Sequence, residues 1–293
     1  MGDLYNLHKL YYEDYFKGVD FKYLLNSQNS ATKVEDPQIK AFNKLLTEND
    51  ENRYSQKVKE DGKWIWKLRK DYKINLSEKL SPEKDRISLK IQYPGLVSGV
   101  GIDHEAKITG EFKLGVHFDW THGMPVVYGS SVKGVLRNAF ISKVEKGKII
   151  EYEDYFLKEV TNREWNQEEI KTLFDVIFDG KDGEGNNLSI YNRDIFFDAV
   201  IVKPDSKGRI LCSDSITPHG ADPLKNPIPI TFLKIAPGCE LEFRFKLEDS
   251  IVDGKPFKKS QKLALFKKIL TTVGIGAKTN VGYGQLKSVG DKD

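Results

Sequence analysis

The sequence predicts an α+β fold, and three observations carry that prediction. Arg86-Ile-Ser-Leu-Lys-Ile-Gln-Tyr93 and Leu241-Glu-Phe-Arg-Phe-Lys-Leu247 alternate apolar and polar side chains, the period of a strand with one face on a core and the other in water. Val132, Val135, Leu136 and Ala139, and later Phe266, Ile269, Leu270 and Val273, recur at three- and four-residue spacing, the period of a helix with one apolar stripe. The closing order is strand, helix, glycine-rich loop, strand, the last strand reading from Tyr283 to Val289.

The bounds are those of a globular chain. Its 293 residues suffice for one elaborated domain or two ordinary ones, and 39% hydrophobic with 30% charged residues is ordinary for a soluble protein. No apolar run approaches the roughly 20 residues that cross a bilayer, and Met1-Gly-Asp-Leu-Tyr5 begins neither a basic nor an apolar signal segment, so the expected compartment is the cytoplasm. Cys212 and Cys239 stand far apart and outside any Cys-x-x-Cys pair, which leaves a disulfide framework or a cysteine zinc site without support.

Taken in order, Leu4, Leu7, Leu10, Tyr11 and Tyr15 fit a short helix that could serve as a docking arm, and 26–85 is polar except for a local strand at Trp64-Ile-Trp66 and Leu68. We therefore expect an N-terminal helical and irregular extension over 1–85 and a main domain over 86–293. After the strand at 86–93, which Pro94 and Gly95 end, Gly123 to Phe140 reads as a turn, a short extended piece and a helix. Ser130 or Ser131 is the expected N-cap, and Lys133 and Arg137 project together one turn apart. Free N–H groups beside two cations are the ingredients of a phosphate site, although capped helices with solvated basic residues are also common. An acidic insert spans about 145–187. Ile195 to Val202 is a buried strand, and Asp214 to Ile230 is too proline-rich for a core element and reads as a long binding loop.

Gly274-Ile-Gly-Ala-Lys-Thr-Asn-Val-Gly-Tyr-Gly284 interleaves four glycines with Lys278 and Tyr283. Glycine permits positive φ and close backbone approach, so such a loop can lay its N–H groups on phosphate oxygens. A nucleotide-binding P-loop is excluded, because Ala277 precedes the lysine, position 272 is threonine, and the helix comes before the loop. From Gly254 to Gly290 there are eight lysines and no acid, whereas the whole chain is only +3 and acids dominate 151–184. That asymmetry predicts one face for an anionic ligand and another turned away from it. A few lysines beside a phosphate chain suffice for salt-sensitive nucleic-acid binding.

Together these motifs resemble the RAMP superfamily of CRISPR RNA-guided effector proteins. Gly129-Ser-Ser-Val-Lys-Gly-Val-Leu-Arg137 is similar to that family's Gly-Ser-Ser-Leu-Lys-Gly-x-Leu-Arg, and Gly274 to Gly284 to its C-terminal glycine-rich loop. Phe197-Asp-Ala199, Asp214-Ser-Ile-Thr-Pro-His219 and Asn226 to Leu233 look like the sixth subunit of type III-B Cmr complexes. The resemblance covers about 86–289. It implies a modified RRM or ferredoxin-like fold, here with the N-terminal extension and a helical insert. It further implies a non-catalytic subunit capping the complex near the 3′ end of the guide RNA, with guide and target RNA, the backbone RAMP, the small helical subunit and a neighbouring RAMP cap as partners. No cofactor and no metal are implied. Carried over, Ser130, Ser131, Lys133 and Arg137 would meet guide phosphates, with Gly276, Lys278, Thr279, Asn280 and Tyr283 lining the same groove. Gly220 follows His219 where an aromatic is expected. No run of aromatic residues marks a sheet face, so base stacking of the ordinary RRM kind is not expected.

A nuclease is the rival class. In cutting members of the family an aspartate follows the first strand, and Asp103-His104-Glu105 stands in about that place, where carboxylates could hold a divalent ion. His117, Asp119 and His122, or Asp214, His219 and Asp222, match no established ligand spacing. A scaffold without RNA contact is a third class; it leaves the basic C-terminal segment unexplained.

Overall fold

The computed structural model describes residues 6–18, 37–48, 53–99, 101, 108, 110–112, 115–217 and 229–290. In chain order the strands are β1 (Ser55–Glu60), β2 (Lys63–Leu68), β3 (Arg86–Ile91), β4 (His117–Phe118), β5 (Pro125–Val127), β6 (Ile141–Glu145), β7 (Lys148–Tyr152), β8 (Ile195–Phe196), β9 (Ala199–Lys203), β10 (Leu211–Ile216), β11 (Ile230–Ile235), β12 (Glu240–Lys246), β13 (Ser250–Val252), β14 (Lys255–Phe257) and β15 (Leu286–Ser288). The helices are α1 (Pro37–Thr47), α2 (Gly129–Asn138), α3 (Tyr155–Thr161), α4 (Gln167–Phe174) and α5 (Lys259–Val273), preceded by a helical arm over Leu7–Lys9 and Leu10–Asp14.

The central sheet runs β15-β3-β12-β9-β5-β4 with every neighbour antiparallel. Counting β3, β9, β12 and β15 as first to fourth, its main part has the order 4-1-3-2, with α2 and α5 as the two crossovers. That is the β-α-β-β-α-β arrangement of a ferredoxin-like fold. The sequence alternation sets which face is covered: Leu89, Ile91, Leu241, Phe243 and Phe245 are buried beneath the stripes Val132–Leu136 and Leu265–Leu270. Phe266 stands 5.2 Å from Phe245 and 5.7 Å from Phe196, ring centre to ring centre, so aromatic packing fixes α5 on the sheet.

The opposite face carries Arg86, Ser88, Lys90, Glu240, Glu242 and Arg244, and no aromatic run among the described residues. Arg244 is buried there because Glu242 accepts from its Nε at 2.7 Å and the Ile74 carbonyl from its Nη2 at 2.7 Å. The acidic insert folds as the β6–β7 hairpin followed by α3 and α4, and α3 lies against α5, where Lys268 meets Glu159 at 2.7 Å. The N-terminal arm packs on its own chain: Tyr11 and Tyr15 are buried, the Tyr11 hydroxyl donates to the Phe112 carbonyl, and the Leu7 amide donates to the Gly123 carbonyl.

Three expectations need correction. The last strand is only Leu286–Ser288, because positive φ at Gly282 and Gly284 keeps the chain out of extended geometry until then. The proline-rich segment is flanked by an antiparallel ladder, β10 with β11, so only its middle, 218–228, lies outside the described residues. Neither Ser130 nor Ser131 caps α2; Tyr128 is the N-cap residue, and the Asp198 carboxylate accepts from the Gly129 amide at 2.7 Å.

Candidate nucleic-acid interface

The glycine loop leaves α5 where the Gly274 amide closes on Leu270. Two rungs then pin it to the turn after β3: Ala277 N–H donates to the Val97 carbonyl at 2.8 Å and Gly284 N–H to the Gly95 carbonyl at 2.8 Å. These approaches require glycine. A Cβ at Gly276 (φ +93°) would stand 2.4 Å from the Val97 oxygen, and one at Gly284 (φ +70°) 1.8 Å from the Ile275 oxygen. Between the rungs Lys278 takes a left-handed φ of 63° and Thr279–Val281 forms a 3-10 turn. The crown is open: Gly276, Ala277, Asn280 and Val281 are exposed, Lys278 and Thr279 half-buried. A rigid base with an open, lysine-bearing crown can present backbone and charge together to an anionic chain.

Tyr283 departs from the expected stacking face. It is 8% exposed, packs at 5.7 Å on Phe232, and its hydroxyl donates to Asp214 Oδ2 at 2.8 Å, a carboxylate that also takes a hydrogen bond from Lys234. Burial, then Asp214, push the Tyr283 phenol well above its ordinary range. For Asp214 itself burial acts upward, but the Lys234 and Tyr283 hydrogen bonds outweigh it and hold the carboxyl below its usual value. The Tyr283–Asp214–Lys234 set therefore buttresses the loop from beneath. The exposed aromatic at this place is Tyr93, 84% accessible, next to Pro94, whose ring lies 3.6 Å from the Cβ position of Gly282. Sequence reading missed it because Tyr93 closes an alternating strand and the Pro94-Gly95 turn that turns it out reads only as a stop signal.

In α2, Ser130 and Ser131 are exposed and Lys133 is half-buried with its ammonium 5.9 Å from the Phe196 ring. Gly129 is fixed by close approach, since a Cβ there would stand 2.3 Å from the Phe196 carbonyl oxygen. Arg137 points to the insert: its guanidinium lies 4.8 Å over Phe174 and 3.5 Å from Asp179, with Nε buried. The two motifs are tied through one short segment. Val97 pairs with Ala277, the Ser98 hydroxyl donates to Val126 of β5, and β5 leads through Tyr128 into α2. His117 stacks on Tyr128 at 4.4 Å, and burial lowers its pKa.

Of the rival catalytic sets, Asp103-His104-Glu105, His219 and Asp222 lie outside the described residues. His122 is paired with Asp119 at 2.9 Å in a tight turn, and Asp214 is committed to Lys234 and Tyr283. No group of three metal-ligating side chains occurs among the described residues. No helix described is long and apolar enough to cross a membrane.

Among solved structures, a chain of the type III-B Cmr-beta complex bound to cognate target RNA aligns with a TM-score of 0.44 and 19% identity, over 69% of this chain and 57% of that one. This chain thus spans little more than half of that relative's length. Cmr6 from Pyrococcus furiosus aligns with a TM-score of 0.40 and 19% identity, over 69% of this chain and 96% of that one. No curated protein matches the chain significantly. The family model described as the RAMP superfamily matches residues 88–287, from within β3 to within β15 and so across both crossover helices and the glycine loop; the chain belongs to the RAMP superfamily.

Proposed function

We propose that this chain is a non-catalytic RNA-binding subunit of a type III-B CRISPR Cmr effector complex, capping it near the 3′ end of the guide RNA. The observation that carries the reading is the open crown of the glycine loop, held by two backbone rungs on the turn after β3 in a RAMP fold. The motifs at 197–199, 214–219 and 226–233 favour the Cmr subunit type. In this reading Ser130, Ser131 and Lys133 meet guide phosphates together with Gly276, Lys278, Thr279 and Asn280. Arg137 and Tyr283 act from behind: one seats α2 on the insert, the other props the loop. The sugar–phosphate chain is held by position and charge, and base pairing reads the sequence.

The test is copurification from the host with sequencing of the bound RNA, followed by filter binding across a salt series. Repeat-tagged guide RNA and backbone subunits should accompany the protein, and Lys278→Ala should weaken RNA binding several-fold while reducing the salt slope by about one. Metal-dependent RNA cleavage abolished by Asp103→Ala would replace this reading with a nuclease. Copurification of subunits without any RNA affinity would replace it with a scaffold.

A further inference from the structure

One aromatic side chain beside the glycine loop packs into nothing. Tyr93, 84% exposed, stands in the turn that ends β3, and among the described residues its ring meets no other ring and its hydroxyl makes no hydrogen bond. The turn itself is fixed. Gln92 N–H donates to the Gln285 carbonyl at 2.9 Å and Gly95 N–H to the Gln92 carbonyl at 2.8 Å, while Leu96 and Ile235 exchange amide hydrogen bonds at 3.1 and 2.8 Å. Backbone bonds on both flanks therefore hold the phenol out in water. A tyrosine serving the core would bury that large ring; this one forgoes the gain.

Its neighbours are apolar on one hand and cationic on the other. The Pro94 ring lies 3.6 Å from the Cβ position of Gly282, and Val281, 70% exposed, precedes that glycine, so Tyr93, Pro94 and Val281 adjoin as an apolar ledge at the crown. Tyr93 is near enough to Tyr283 to add to the rise of that phenol's pKa, after burial and Asp214. Lys278 stands across the neck of the loop, its carbonyl accepting from the Tyr283 amide at 3.2 Å, and its ammonium has no ion-pair partner among the described residues. The two stretches that build this place, 86–99 and 254–290, contain no aspartate or glutamate, and Asp214 beneath them is committed to Tyr283 and Lys234.

We propose that Tyr93 is the stacking platform for one unpaired base of the bound RNA, next to the phosphates that the crown of the glycine loop holds. A bare ring beside a lysine without an acid matches the alternation of flat base and charged backbone in a single strand. An acidic peptide would answer Lys278 and leave the ledge uncovered; an apolar one would cover the ledge and leave the lysine buried without a partner. Because the turn presets the ring, stacking orders little that was free before. Every base has a π-face, so the contact adds affinity and fixes the position of the strand without reading its sequence. It also gives a base contact to a protein whose open sheet face carries no aromatic run among the described residues. The proposal rests on the RNA-binding reading of the glycine loop but on stacking rather than charge, so the two can fail separately.

The experiment is equilibrium binding of a fluorescent oligouridine to the full-length protein and to Tyr93→Ala, Tyr93→Phe and Lys278→Ala across a salt series, with thermal melts of each. A second strand set carries 2-aminopurine at successive positions. Tyr93→Ala should weaken binding about fivefold or more with an unchanged melt and an unchanged salt slope, since it removes a ring and no charge, and Tyr93→Phe should keep most of the affinity. Lys278→Ala should instead lower the salt slope by about one. The wild type should quench 2-aminopurine at one position, and Tyr93→Ala should abolish that quenching. Wild-type affinity and quenching in Tyr93→Ala, alongside weakened binding in Lys278→Ala, would overturn the stacking contact and leave the glycine-loop interface standing. A loss in Tyr93→Phe equal to that in Tyr93→Ala would assign the hydroxyl and not the ring, and so overturn stacking. No binding by the wild-type protein would overturn both readings. Unchanged RNA affinity with loss of a copurifying protein subunit in Tyr93→Ala would make the ledge a protein contact instead.

Discussion

His117 stacks on Tyr128 with a buried ring nitrogen that has no hydrogen-bond partner among the described residues. Burial disfavours its charged form, so its folded pKa lies below the ordinary imidazole value near 6.5. The unfolded chain then binds the extra proton as pH falls, and the stability this residue contributes is fully present above about 6.5 and lost below it. Chemical denaturation of the wild type should show a midpoint that falls between pH 7 and 5.5, and His117→Phe should flatten that dependence; an equally steep profile in the variant would assign it to other groups. The same scale separates what the chain disclosed from what it hid. That 274–284 forms an open loop carrying Lys278 was legible, because its glycines permit positive φ that other residues avoid. The roles of Tyr283 and Arg137 were not, since a tyrosine in a loop and an arginine on a helix look the same whether they face a ligand or, as here, Phe232 and Phe174.

At the level of elements, the glycine loop is a rigid part rather than a slack one. Its two rungs and the Ile275 amide, which donates to the Gly284 carbonyl at 2.9 Å, fold the loop's base into a closed ladder. Gly284→Ala places a methyl 1.8 Å from the Ile275 oxygen at a φ of +70°, which calls for a backbone shift. We expect roughly 2–3 kcal/mol of destabilisation and loss of RNA affinity together, whereas Gly134→Ala, within α2 and with nothing within 4 Å, should cost nothing. Denaturant melts of the two variants check it; equal costs would mean the loop yields. Helices α2 and α5 and strands β3 and β12 were readable from period alone, because each has one wet and one dry side. The cap of α2 was not: Asp198 lies 69 residues from Gly129, and no local pattern announces a partner that distant. Likewise β10 and β11 disguise a regular ladder behind the prolines between them.

Across the whole molecule, one buried apolar cluster runs from Leu7 to Leu286, so the extension and the ferredoxin-like part share a core although the sequence reads them as separate regions. The sheet explains the division of labour. Strands β3 and β15 are neighbours at one edge of the central sheet, so the segment leaving β3 and the loop entering β15 must lie side by side. Gly95 and Val97 and the glycine loop, far apart in sequence, thus converge without any long-range signal in the residues themselves.

The N-terminal arm carries a consequence of its own. Tyr11 fills the space that a side chain at Gly115 would need, its hydroxyl 2.7 Å from that Cβ position, and Tyr15 accepts from the Phe112 amide at 2.9 Å. An element held by side-chain insertion and only a few backbone bonds is separable in principle. A chain deleted for residues 6–18 should bind a hydrophobic dye and melt several degrees lower, and a synthetic peptide of those residues added in trans should reverse both, while a peptide with Tyr11→Ala and Tyr15→Ala should not. If so, the arm is a detachable plug that can be supplied in trans, and its return gives an optical signal for following how the core closes.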